Sequence, residues 1–333
     1  MNSLLTKIVP PNFLIVTLVA AVIFGTGCQK DLPSLSYQTI ETGMPGDVAS
    51  VCTAGNDSLF ASGGIQGNGW IARSTDGGLN WTVISSGMLN AINTVTFSDP
   101  QTGYCGDADI LIFKTVDGGQ TWNQYYANEW PFYKNRFLRA SFFTGTNHGI
   151  VCGGKQFGNG VVYRTTDAGN SWSFTEFDHE LRAVRFKDVD HGIITGYGVI
   201  YVTQNGGLDW QVATTADDFY TTTELLPSGD FIAVTFHGAV YSSSDNGRHW
   251  SRIRKESGNA FNSHRVTCST SDASGTILCG GPDGFLMISK DGGSNWKEYS
   301  LFGGSDIHAL QLLSGGKCIA AGDNGQLFIA NLP

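Results

Sequence analysis

The chain has 333 residues, 41% of them hydrophobic, with 44 Gly against 9 Pro. That composition supports a packed globular core with many turns and excludes a disordered or collagen-like chain. A net charge of −9, from 29 acidic and 20 basic residues, argues against nucleic acid and against adsorption onto anionic lipid, and points to a neutral or basic partner or to a local basic site.

Residues 1–27 carry one charge, Lys7, and an apolar run from Phe13 to Phe24 too short for a comfortable membrane span, which reads as an export signal. Gly25-Thr26-Gly27-Cys28 follows, small residues before a cysteine. It resembles the lipobox of bacterial lipoprotein signals, with Gly25 where that motif prefers Leu. The resemblance implies cleavage before Cys28 and acylation of its thiol, and more than one acyl chain suffices for stable anchoring. The protein is therefore expected to be exported and lipid-anchored to a bacterial membrane, facing the periplasm or the cell surface. Residues 28–35 would be the acylated Cys and a tether, and residues 36–333 the folded domain.

Beyond the tether, one short pattern recurs six times: Ser74 to Trp81, Thr115 to Trp122, Thr165 to Trp172, Thr203 to Trp210, Ser243 to Trp250 and Ser289 to Trp296. These are Asp boxes, Ser/Thr-x-Asp-x-Gly-x-x-Trp, also called BNR repeats, with Asp76, Asp117, Asp167, Asp245 and Asp291 at the acidic position and Asn205 as its one departure. A hydroxyl and a carboxylate can satisfy backbone groups inside a tight turn, and Gly supplies the positive φ the turn needs. Six equivalent acids spread around a ring cannot converge on one substrate, so the boxes are read as structural staples, with Trp81, Trp122, Trp172, Trp210, Trp250 and Trp296 covering the hairpins.

Successive box tryptophans are 41, 50, 38, 40 and 46 residues apart, the length of a four-stranded propeller blade. Each unit predicts strands A to D with the box as the C–D turn. A seventh unit has three strands, His308 to Leu313, Lys317 to Gly322 and Gln326 to Asn331, and then the chain ends. The alternating run Ser36 to Thr42 is available as its fourth strand. The expectation is an all-β, seven-bladed β-propeller closed by an N-terminal strand, which removes the exposed edges of an open ring. Cys52, Cys105, Cys152, Cys268, Cys279 and Cys318 fall in different repeats without a CxxC, favouring small buried core residues over a disulfide framework or metal site.

The strand order places the A-strand starts and the B–C loops on the face opposite the boxes. Aligning the A strands on Phe97, Phe143, Phe186, Leu226, Ser269 and Leu312 puts Asn93, Arg139, Arg182, Thr222, Arg265 and His308 at one position near the channel mouth. Three Arg and one His there suggest a basic patch, and the planar guanidinium suits a carboxylate or phosphate. Each Arg is equally open to pairing with a neighbouring acid, as Glu180 with Arg182. The longest spacing contains Tyr125 to Arg136, where Trp130, Phe132 and Tyr133 offer rigid contact area for peptide or sugar on the same face, or cap the blade edge.

Residues 36–333, with six boxes, seven units and Arg-bearing A strands such as Leu181 to Phe186, resemble the photosystem II assembly and stability factor family of seven-bladed propellers. The resemblance implies an assembly chaperone without catalytic activity and an arginine patch used in partner binding, carried by motif match onto Arg139, Arg182 and Arg265. It implies assembly or binding of a protein at the envelope; with the lipid anchor and the arginine forks, the expectation is a monomeric membrane-anchored scaffold whose partner is an envelope protein or peptide with acidic groups, with a glycan as the alternative.

The rival class is a glycoside hydrolase, because sialidases and some glucanases carry Asp boxes. Against it, no Arg-Ile-Pro precedes the first box and Arg73 is the only Arg before residue 136. A carboxylate pair from Asp109, Asp283 or Asp306 remains open on the top face. No nucleotide loop, nucleophile elbow or close His pair is present, so no cofactor and no metal are expected.

Overall fold

The computed structural model describes residues 32–55, 58–88, 90–109, 111–125, 137–215, 218–256, 264–301 and 304–333. Cys28 and the insertion residues Trp130, Phe132 and Tyr133 lie outside them. Among the described residues no helix is long and apolar enough to cross a membrane.

Seven antiparallel four-stranded sheets follow one another along the chain. Blade 1 is β2 (Asp47–Ala54), β3 (Ser58–Ile65), β4 (Asn68–Ser74) and β5 (Thr82–Met88); blade 2 is β6 (Ile92–Phe97), β7 (Gly103–Asp107), β8 (Ile112–Thr115) and β9 (Asn123–Tyr125). Blade 3 comprises β10 (Phe137–Thr144), β11 (His148–Lys155), β12 (Gly158–Thr165) and β13 (Ser173–Phe177), and blade 4 β14 (Leu181–Phe186), β15 (Gly192–Gly196), β16 (Val199–Thr203) and β17 (Gln211–Val212). Blade 5 is β18 (Tyr220–Leu225), β19 (Phe231–Thr235), β20 (Val240–Ser243) and β21 (Ser251–Arg254); blade 6 is β22 (Cys268–Ser271), β23 (Ile277–Gly280), β24 (Phe285–Ser289) and β25 (Lys297–Ser300). The last blade joins β26 (Ala309–Leu313), β27 (Lys317–Ala321) and β28 (Gln326–Asn331) to β1 (Tyr37–Glu41) from the other end of the chain, with Tyr37 opposite Ala330 and Glu41 opposite Gln326.

The first strand of each blade touches the first strands of its neighbours, so these strands line the central channel. The apolar core is divided into seven clusters, one between each pair of adjacent blades. One joins Val48, Val51 and Trp70 to Ile319 and Leu327 across the closing seam. Another joins Ile193 and Ile200 to Phe231 and Ala233 between blades 4 and 5. The middle strands of a blade, such as β15 and β16, are buried on both faces, which explains continuous apolar runs such as Val199 to Val202 in place of alternation. The six cysteines of the domain are free thiols, four of them fully buried, and burial pushes Cys52, Cys152, Cys268 and Cys318 up to about 12.

Every box has the same hydroxyl-centred turn, and in the boxes of Trp81, Trp250 and Trp296 the indole N–H also bonds the turn, whereas the Nε1 of Trp122, Trp172 and Trp210 is buried without a partner. In the first, Ser74 Oγ donates to Asp76 Oδ1 at 2.8 Å and accepts from Gly78 N at 3.0 Å, while Asn80 N and Nδ2 donate to the two oxygens of Asp76 at 2.9 and 2.7 Å. Trp81 Nε1 then donates to Gly78 O at 2.8 Å. The second box Gly also sits against the preceding blade: a Cβ on Gly119, whose φ is +85°, would stand 2.6 Å from the Phe60 ring. The turn is thus also an inter-blade contact. In the blade-4 box the charge is exchanged: Asn205 keeps an oxygen for Asp209 N at 3.0 Å and donates through Nδ2 to Asp209 Oδ2 at 2.9 Å.

Those hydrogen bonds hold Asp76, Asp117 and Asp167 at about 2 against an ordinary 3.8, and Asp245 also at about 2, where His249 N and its ring offset the desolvation that opposes the shift. A carboxylate depressed in the fold stabilises it fully above the unfolded value and loses that contribution as pH falls toward the folded one. Melting temperature is therefore expected to drop between pH 4 and pH 2. Thermal scans should show a shallower acid limb in the Asp76→Asn/Asp117→Asn/Asp167→Asn variant than in the wild type.

Candidate functional site

The inner strands carry a repeated irregularity. In blades 1 to 5 the pairing of the first two strands skips one residue, Ala49, Asn93, Arg139, Arg182 or Thr221. Such a bulge re-aims the extra side chain. These five residues, with Thr267 and His308 from blades 6 and 7, line a cavity of ≈ 350 Å³ at the channel mouth. The face is the one opposite the boxes, because it also carries the β3–β4 turn at Gly64.

This ring corrects the sequence alignment in two blades. Leu225, not Leu226, pairs with Phe231 at the hairpin end, and Ser271, not Ser269, pairs with Ile277. The mouth position therefore belongs to Thr221 in place of Thr222 and to Thr267 in place of Arg265. Arg265 lies two residues earlier, on the exposed rim, with its guanidinium 5.5 Å from the centre of the Phe236 ring. A signal for the right register was present in the second strands. A Cβ on Gly196 would meet Glu180 O at 2.3 Å and one on Gly281 would meet Arg265 O at 2.0 Å, so Arg265 is the counterpart of Glu180, not of Arg182.

Arg139 and Arg182 do converge, and they do so on an acid. Arg182 Nη1 donates to Glu180 Oε1 at 3.0 Å, and Arg139 Nε lies 2.9 Å from the same oxygen as an ion pair without hydrogen-bond alignment. The Glu180 side chain is 6% exposed, and its second oxygen accepts from Phe157 N at 2.9 Å. Two guanidinium charges share one carboxylate. Burial, and after it the charge of Arg139, hold Arg182 down to about 10, against the opposing pull of Glu180. A group in that state is short of counter-charge, and an arriving carboxylate or phosphate would relieve it.

His308 belongs to the ring but not to a basic patch. Its Nε2 is 2.7 Å from Asp323 Oδ1, and Asp47 accepts from Asn324 N at 3.1 Å beside it. Asp47, His308 and Asp323 present ligand atoms within 4.8 Å of one another, the one such group among the described residues; His308 and Asp323 pair with each other, while Asp47 takes a backbone N–H. The mouth is thus polarised, cationic at blades 3 and 4 and acidic where blades 7 and 1 meet. Of the carboxylates considered for hydrolysis, Asp306 accepts from Asp283 N at 3.0 Å, closing a loop. Asp109 N donates to Asp107, itself buried and raised by desolvation.

One feature of this face was not legible as a motif. Phe157, Tyr197, Phe219 and Phe236 come from four separate turns and form a chain of rings with centres 4.6, 5.2 and 5.5 Å apart. The Arg182 guanidinium lies 5.2 Å from the Phe219 ring, linking the chain to the mouth.

Residues 73–265 match the family described as photosynthesis system II assembly factor YCF48. The photosystem II assembly lipoprotein Ycf48 of Synechococcus sp. (strain CC9902) is 25% identical over 248 residues, covering 70% of this chain and 70% of that protein. The chloroplastic photosystem II stability/assembly factor HCF136 of Oryza sativa subsp. japonica is 27% identical over 177 residues, which is 45% of this chain and 41% of the relative. Among solved structures, YCF48 bound to D1 peptide superposes with a TM-score of 0.69 at 16% identity, over 91% of this chain and 100% of that one. An ancestral GH74 enzyme superposes with a TM-score of 0.66 at 16% identity over 88% of this chain and 46% of its own, a likeness of fold alone. The chain belongs to the photosynthesis system II assembly factor YCF48 family.

Proposed function

We propose that the protein is a non-catalytic binding scaffold for the assembly of a protein partner at a bacterial membrane, engaging that partner through the face opposite the Asp boxes. The observation that carries this reading is the pair Arg139 and Arg182, two guanidiniums sharing the single buried carboxylate of Glu180 at the channel mouth. In a protein of net charge −9 that site offers the local positive field an acidic segment needs. Family membership supports the assembly reading, and a relative has been solved with a peptide bound. Cleavage before Cys28 and its acylation would hold the propeller at the envelope, with residues 28–35 as tether. Repeated hydroxyl and amide groups in the mouth ring suit orientation of a bound chain more than chemistry on it.

Affinity capture from detergent-solubilised envelope tests the reading. Wild type is compared with Arg139→Ala and Arg182→Ala made separately, so that Glu180 keeps one guanidinium and the fold survives. Each variant is expected to lose at least about tenfold of the captured partner, as truncation of a central Arg anchor does. Recovery of the same partner in the same amount by both variants would rule out this face.

A further inference from the structure

The four rings beside the mouth have no part in the core and are held in place with unusual care. Phe157 is 59% exposed and Tyr197 41%. Backbone bonds stitch the turns that carry them: Glu180 N donates to Phe157 O at 3.1 Å, Tyr197 N to Glu180 O at 3.0 Å, Phe236 N to Phe219 O at 2.8 Å and Val266 N to Phe236 O at 2.8 Å. The Phe157 turn is also strained. Lys155 pairs with Gly158, leaving Gln156 and Phe157 as a two-residue hairpin loop with φ of 56° and 67°. That conformation favours Asn-Gly, and a bulky side chain there is an outlier. Strain of this kind persists only where the surroundings over-determine it, and it clusters at functional sites. Here it presents an aromatic ring to solvent.

The cations fix what would cover the rings. Arg182 lies 5.2 Å from the centre of Phe219 and Arg265 5.5 Å from that of Phe236. No carboxylate pairs with Arg265 among the described residues. A guanidinium over a ring is held there electrostatically without using its N–H groups, which stay available to a carboxylate; on Arg182 one of them already bonds Glu180. The ring chain therefore carries a guanidinium beside each of its two last members, Phe219 and Phe236. Sugar recognition wants an open, flat ring face. One face each of Phe219 and Phe236 is already covered, and Phe157 and Tyr197 are tilted by 42°. The three ring-to-ring steps of 4.6, 5.2 and 5.5 Å match about four to five residues of extended peptide at ~3.3 Å each.

We infer that Phe157, Tyr197, Phe219 and Phe236, with Arg182 and Arg265, form a docking shelf for an extended peptide segment in which aromatic or large aliphatic side chains alternate with Asp or Glu. The inference rests on the proposed scaffold role and names the chemistry of the segment it holds. The mouth arginines take one carboxylate, and the shelf reads the apolar side chains and a second acid beside it.

The test uses the full chain in detergent and three fluorescein-labelled decapeptides blocked at both ends: one alternating Asp and Phe, one with Lys for Asp, and one with Ser for Phe. By anisotropy the first is expected to bind at least about tenfold more tightly than either control, and Phe157→Gly and Arg265→Ala each to weaken it about five- to tenfold. Phe157→Gly suits the left-handed turn, so its melting temperature should equal or exceed the wild type, which separates loss of contact from loss of fold. If Arg182→Ala abolishes binding and Phe157→Gly leaves it unchanged, the shelf is refuted and the scaffold reading stands. If neither variant changes binding, both fail. Displacement of the first peptide by a neutral oligosaccharide, dependent on Phe157, would overturn the peptide assignment in favour of a glycan.

Discussion

A chain lacking residues 36–42 is expected to melt roughly 10 °C or more below the wild type and to aggregate on unfolding. Five residues of β1 pair with β28, from Tyr37 opposite Ala330 to Glu41 opposite Gln326, and among the described residues every other strand belongs to another blade or to the inner three strands of this one. Ile40 is buried in the cluster that joins blade 7 to blade 1, the Tyr37 ring stands edge-on to Phe328 at 5.9 Å, and Thr42 Oγ1 donates to Gly325 O at 2.5 Å. Loss of one buried Ile costs about 2–5 kcal/mol. With the ladder and the Thr42 bond the total is of order 5 kcal/mol or more, against a usual domain stability of about 5–15 kcal/mol. The edge of β28 would also be bare. Calorimetry of the truncated chain decides it: an unchanged, cooperative transition would mean that the ring does not depend on N-terminal closure.

The second large effect is expected from Glu180→Gln. Glutamine can still accept from Phe157 N, but the two guanidiniums now face each other without a counter-charge in a site where Arg182 is already held down by burial and by Arg139. Removing one partner of a buried ion pair costs about 3–5 kcal/mol, and the low end applies here because Arg139 and Arg182 keep 31% and 23% of their side chains exposed. The variant should be destabilised by about 3 kcal/mol. Citrate should then raise its melting temperature by more than that of the wild type, at matched ionic strength, because a carboxylate that binds only the folded state stabilises it in proportion to its occupancy. Equal melting of the two proteins, or no added response to citrate, would show that Glu180 does not neutralise the pair.

The Asp boxes, the blade count and the closing strand were all legible in the sequence. Box hydrogen bonds reach only two to four residues along the chain, as from Ser74 to Asp76 and from Asp76 to Asn80, so the residue types must recur at fixed spacing. Blade length follows from strand length, and ring closure follows from one unpaired run at each end. Convergence of Arg139 and Arg182 was also within reach, because blades 3 and 4 share the same bulge and the same four-residue count from it to a Phe paired with Gly, Phe143 with Gly149 and Phe186 with Gly192.

Only the tertiary structure placed Thr221 and Thr267, and not Thr222 and Arg265, at the mouth. A bulge or a shifted hairpin changes the count by a residue or two without changing the apolar pattern, and the marks it leaves, glycines such as Gly196 and Gly281, lie on the neighbouring strand. The charge partners of His308 were equally hidden, since Asp47 and Asp323 come from opposite ends of the chain and meet only because the ring closes. The aromatic surface shows the same limit. The sequence directs attention to the contiguous Trp130, Phe132 and Tyr133, whereas Phe157, Tyr197, Phe219 and Phe236 stand singly in four turns. A local turn writes itself into consecutive residues; a surface assembled by neighbouring blades does not, because the contacts that define it exist only once the blades have packed.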